Sequence, residues 1–132
     1  MCIRDRGKVH IVYRALFPFD ENGIYYVSNV KKKFKSWEKL TDFWFFNPRI
    51  KVNRKDTINI ACERSNSLYC GDNTSGNFKF NFSYEMPQNS ILADSYFTVG
   101  DSSNCHFTFH TWLGQKPDYT GAEIYYLRSV SD

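Results

Sequence analysis

Phe78-Lys79-Phe80-Asn81-Phe82-Ser83-Tyr84-Glu85-Met86 alternates large apolar side chains with polar ones from end to end. Successive side chains of an extended strand point to opposite faces. A period of two therefore sets the aromatic rings on one face and Lys79, Asn81, Ser83 and Glu85 on the other. A helix would scatter both sets around its axis. The stretch predicts a half-buried antiparallel strand, and it sets the expectation for the rest of the chain.

Similar patterns recur on both sides of it. Val9, Ile11, Tyr13, Ala15 and Phe17 alternate up to Pro18. Residues 24–27 follow a turn at Asp20-Glu21-Asn22-Gly23, and the apolar run 43–46 is expected to stop at Pro48. Ile58, Ile60 and Cys62 alternate with Thr57, Asn59 and Glu63, and residues 96–99, 107–113 and 124–127 complete the set. Between them lie Gly71-Asp72-Asn73, Pro87-Gln88-Asn89, Gly100-Asp101 and Gln115-Lys116-Pro117-Asp118, which have the chemistry of turns. Only residues 36–40 could form a helical turn. Short strands separated by turns every 8 to 12 residues or so predict a single antiparallel β-barrel or β-sandwich of about 8–9 strands, with the barrel slightly preferred.

The 132 residues suffice for one such domain, and an aromatic content of 18% supplies its core. Met1-Cys2-Ile3-Arg4-Asp5-Arg6 reads as a translated sequencing adapter, so natural sequence is expected from Gly7 and the domain over 7–132. A formal charge of +3 is too mild to imply nucleic acid. The local excess at Lys31, Lys32, Lys33 and Lys35 reads as a solvated turn or a guarded strand edge. No apolar run is long enough to span a bilayer.

Cys2, Cys62, Cys70 and Cys105 form no CxxC pair and no zinc spacing with histidine, so free thiols in a reducing, cytoplasmic setting are expected. Asn73-Thr74-Ser75 and Asn81-Phe82-Ser83 match the N-glycosylation triplet. In an Asn-rich chain without a signal segment they read as coincidental.

Candidate chemistry is sparse. His106 and His110 would chelate a metal on a helix, but Phe107, Phe109 and Thr111 argue for a strand. There the two imidazoles share a face about 13 Å apart, at ~3.3 Å per residue, which is too far for one ion. His10 stands alone. Glu21, Asp42, Asp56, Glu63 and Glu85 are spread too widely to name a catalytic pair. No nucleophile elbow, phosphate loop or dinucleotide fingerprint occurs, so no catalytic residue, metal ligand or cofactor-binding residue is assigned. Tyr25, Tyr26, Trp37, Trp44 and Trp112 are candidate stacking platforms for sugars or bases, weighed against core packing, which claims most such rings.

One segment carries a family resemblance. Ser36-Trp37, Phe43-Trp44-Phe45-Phe46, Pro48, Ile50, Val52, Asp56, Ile58 and Ile60 resemble the C-terminal β-barrel of protein arginine methyltransferases. In that family a Trp-containing loop leads to an aromatic strand, a proline, a hydrophobic strand and a Gly-Asp turn. The likeness covers roughly residues 8–86. Here Lys35-Ser36-Trp37 stands where the family has Thr-His-Trp, so the histidine's role does not carry over. Lys55-Asp56 replaces Gly-Asp, and residues 95–132 continue past the usual end of the barrel.

The resemblance implies a substrate-side barrel, inert alone, with S-adenosylmethionine bound by a Rossmann-like domain upstream. Ser36 and Trp37 would lie near a protein or peptide substrate, Trp37 orienting it; a core or turn-anchoring tryptophan is the competing reading. Two other classes stay open. One is a non-catalytic β-sandwich binding module for carbohydrate or protein, marked by exposed, coplanar aromatics on one sheet face or by a concave groove. The other is a self-associating structural domain, a homo-oligomer.

Overall fold

The computed structural model describes residues 1–5, 7–16, 22–30, 33–34, 38–41, 45–75, 77–88, 90–100, 104–115 and 118–129. Strands β1 (Cys2–Asp5), β2 (Lys8–Ala15), β3 (Gly23–Val30), β4 (Lys33–Phe34) and β5 (Glu38–Lys39) make a first sheet, in which β4 and β5 both pair with β3. A second sheet holds β6 (Phe45–Val52), β7 (Ile58–Arg64), β8 (Ser67–Asp72) and β9 (Lys79–Glu85) in chain order. A third holds β10 (Ser90–Val99), β11 (Cys105–Gln115) and β12 (Asp118–Arg128). All pairings are antiparallel, and no helix occurs among the described residues. The all-β antiparallel class is as the sequence predicts. The described strands close no barrel; they form open sheets packed as layers. The helical turn expected over 36–40 is absent from its described part, because Glu38 and Lys39 pair with Tyr26 and Tyr25.

The second sheet is the centre of the packing, and β7 shows why. Its residues from Ile58 to Glu63 are all buried, as happens to a strand covered on both faces. Ile58, Ile60 and Cys62 point toward the first sheet and pack with Val12, Ile24 and Ile50. Ala61 points the other way, into a cluster with Leu68, Cys70, Met86, Phe97, Cys105, Phe107 and Phe109. Each fully buried side chain of this size contributes about 1.5–3 kcal/mol through removal from water.

The alternation of residues 78–86 forms its strand but does not keep its rings on one face. The register shifts between Cys70 and Gly71, so that Phe82 opposes Cys70 and Phe80 opposes Gly71. Asn81 is the extra residue of a β-bulge, and the bulge inverts the parity of the strand. Phe78 and Phe80 consequently pack toward the first sheet with Phe45 and Tyr69, while Phe82 and Tyr84 meet Phe107 and Phe109 on the other side. Gly71 makes the bulge feasible. A Cβ there would lie 2.1 Å from the Lys79 carbonyl oxygen and 2.7 Å from the Phe80 Cα, both backbone atoms that cannot move aside.

Two other local expectations change. Pro48 does not end its strand: β6 runs through it by a bulge between Phe46 and Arg49, with Asn47 at φ 46°. β6 is an edge strand, where a missing N–H costs no ladder bond. In β2 the deeper positions are His10 and Val12 rather than the alternating set that includes Tyr13. His10 can be buried because its Nδ1 is hydrogen-bonded to the Tyr26 hydroxyl at 2.7 Å.

The expectation of free thiols is corrected at two positions. Cys70 of β8 and Cys105 of β11 form a disulfide, with a Cα–Cα distance of 6.7 Å, which joins the second and third sheets. Register explains the meeting, since both residues sit on the inner faces of sheets packed against each other. Cys62 stays free and buried, and burial raises its thiol pKa far above the ordinary value, with the neighbouring Glu63 charge adding to the shift.

Residues 2–5, within the segment that reads as adapter, pair with β2 from Cys2–Ile11 to Asp5–Lys8. The Met1 ammonium donates to the Val12 carbonyl at 2.7 Å.

Candidate ligand-binding face

The third sheet alternates inward and outward positions on either side of a bulge at Ala93 in β10, and its two faces differ in how far their rings are buried. Ser95, Phe97, Phe107, Phe109 and Thr111 point inward and are buried. The outward positions follow from the register: Ile91 opposes Trp112, Asp94 opposes His110, Tyr96 opposes Thr108, and Thr98 opposes His106. On the other side of β11, Ala122 opposes Trp112, Ile124 opposes His110, Tyr126 opposes Thr108, and Arg128 opposes His106. Tyr96, Thr108 and Tyr126 thus form one row across the sheet. The two tyrosines stand two strand spacings apart, about 10 Å.

This face is open. Tyr96 is 65% exposed, Tyr126 66%, Ile124 81% and Trp112 40%. Scattered surface apolar residues are ordinary, but contiguous ones on a single sheet face mark a contact surface. Several of the rings are held by polar neighbours. The Tyr126 hydroxyl and His106 Nδ1 are hydrogen-bonded at 2.7 Å, their ring centroids 6.0 Å apart. His110 meets Trp112 edge-on at 5.8 Å. At the β10 border, Arg49 pairs with Asp94 at 3.1 Å and its guanidinium lies 5.5 Å from the Tyr96 ring centroid. The result is a surface of ring faces interleaved with hydroxyl, imidazole and guanidinium groups.

Beneath this border lies a buried polar anchor. Glu63 accepts hydrogen bonds from Ser95 Oγ at 2.6 Å and from Asn47 Nδ2 at 2.8 Å, one to each carboxylate oxygen. Two donors satisfy a charge that would otherwise be costly to bury, so Glu63 ties β7 to β6 and β10. Because it is occupied this way, it serves position rather than chemistry.

The other sequence candidates fall into place as follows. His106 and His110 lie on β11, on one face and four residues apart, each engaged with an aromatic neighbour. No group of three His, Cys, Asp or Glu suited to a metal occurs among the described residues. Tyr25 is core. Tyr26 is half-buried beside His10, and burial is the main cause that raises its hydroxyl pKa, with Ser28 opposing and Glu38 adding. Ser36, Trp37, Phe43 and Trp44 lie outside the described residues, as do Lys31, Lys32 and Lys35. Trp112 was legible as a stacking candidate. Tyr96 and Tyr126 carry no comparable sequence signal: β10 buries Ser90, Ser95 and Phe97 around Tyr96, and β12 holds Tyr119, Tyr125 and Tyr126 together.

Among the described residues no helix is long and apolar enough to cross a membrane. The chain matches no protein-family model, and no curated protein or solved structure shows a significant likeness to it.

Proposed function

We propose that this domain is a non-catalytic β-sandwich module that binds carbohydrate across the outer face of β10, β11 and β12. The observation that carries the reading is the row of Tyr96, Thr108 and Tyr126 with Trp112 and Ile124 beside it, all on one open sheet face. Sugar rings present C–H faces that pack on aromatic planes and hydroxyl edges that need donors and acceptors. Tyr and Trp join an apolar body to a polar tip and meet both demands. His106, Thr108, Thr98 and the Arg49–Asp94 pair supply the hydrogen-bonding groups between the rings. Nucleic acid is disfavoured as the ligand, because among the described residues the face holds no basic stripe: Arg49 is paired with Asp94, and Arg128 is the other guanidinium described there.

The methyltransferase reading rests on the residue pattern over roughly 8–86, and the substrate residues it implies, Ser36 and Trp37, lie outside the described residues. The cytoplasmic setting rests on free thiols, a premise that holds for Cys62 and not for Cys70 and Cys105.

Calorimetric titration of the full chain with cello-, manno- and chito-oligosaccharides tests the proposal. Saturable binding is expected for at least one series, weakened at least tenfold, or about 1.4 kcal/mol, by Tyr96→Ala. A folded chain that binds none of the three overturns it.

A further inference from the structure

The inter-sheet disulfide gives the two glycosylation triplets a different standing from the one they have in the sequence. Disulfides persist where thiols are oxidised, which is also where Asn-linked glycans are added. The two triplets are not equivalent in the fold. Asn73 is half-buried and structural: its Oδ1 accepts the Ile58 N–H at 2.9 Å, and its own N–H donates to the Ile58 carbonyl. Asn81 is exposed, and as the extra residue of the β9 bulge it stands out of the ladder register. Its Nδ2 donates to Asp72 Oδ2 at 2.9 Å on the surface, where water can replace the bond.

We propose that Asn81 is an N-glycosylation site and that the domain matures in an oxidising compartment. Closing Cys70–Cys105 removes two electrons and two protons, which a disulfide-bearing oxidant accepts by exchange. At Asn81 the donor is an oligosaccharide linked through its anomeric carbon to a lipid pyrophosphate. A bond forms between Asn81 Nδ2 and that carbon, the bond from the carbon to the pyrophosphate oxygen breaks, the lipid pyrophosphate leaves, and Nδ2 gives up one proton. The site also has a physical use. β9 is the outer edge of the central sheet, and a glycan beside its bulge blocks edge-to-edge pairing with another chain.

The test is to direct the full chain into the lumen of a eukaryotic secretory pathway and measure its mass before and after enzymatic removal of N-glycans. Ser83→Ala removes the Asn81 triplet while leaving the bond between Asn81 and Asp72, and Ser75→Ala does the same for Asn73 without touching its cap on Ile58. The expected result is a glycan on Asn81 that Ser83→Ala abolishes, whatever Ser75→Ala does, together with a Cys70–Cys105 peptide in the non-reducing map. A secreted, folded chain whose mass Ser83→Ala leaves unchanged overturns the proposal, as does a non-reducing map with both cysteines free.

Discussion

The two faces of the β10–β12 sheet both carry rings, yet they differ in every respect that matters for use. Inward lie Phe97, Phe107 and Phe109 with Tyr125 beside Phe109, and these rings meet one another and Phe82 and Tyr84 of the second sheet at centroid distances of 5.2–6.1 Å. Outward lie Tyr96, Trp112 and Tyr126, each with a polar atom and each open to solvent. Burial of the rings, more than their number, separates a core face from a contact face. Burial on the inner face and exposure on the outer one predict that the inner rings carry most of the stability.

The sharpest way to break this contrast is to delete one ring from the inner face. Phe107 is 1% exposed and packs against both Phe82 and Phe97. Phe107→Ala should cost about 3–5 kcal/mol, through lost transfer energy and the cavity left behind. Urea unfolding checks this; a loss below about 1 kcal/mol would mean that the inner rings are not the core.

A somewhat smaller effect is expected from the staple on the same face. Cys70 and Cys105 are 35 residues apart in sequence. Closing a loop of that length removes conformational freedom from the unfolded chain worth about 3–4 kcal/mol. The double variant Cys70→Ala/Cys105→Ala should lose most of that in the same assay, and a reducing agent should lower the stability of the parent chain but not of the variant.

How much of this was legible follows from what fixes each feature. The strand over residues 78–86 was readable because side-chain period is a local property. Its bulge was not, since it depends on Gly71 lying opposite a backbone that would overlap any Cβ, and cross-strand pairing is not written in either strand alone. Pro48 pointed to a strand end for the same reason: a proline tolerated at an edge bulge looks identical in sequence to one that stops a strand. The disulfide was hidden because Cys70 and Cys105 meet only after two sheets stack. Of the proposed binding face, Trp112 stood out by residue type. Tyr96 and Tyr126 needed the register to be seen as neighbours of Thr108 in one row.

On the proposed function, the outer face binds a ligand and does not hold the fold together. This is tested most directly by the double variant Tyr96→Ala/Tyr126→Ala, examined by urea unfolding and by oligosaccharide titration on the same sample. Stability within about 0.5 kcal/mol of the parent chain and oligosaccharide binding weakened by more than tenfold are expected. A loss of stability comparable to that of Phe107→Ala, or oligosaccharide binding that survives the loss of both rings, would contradict it.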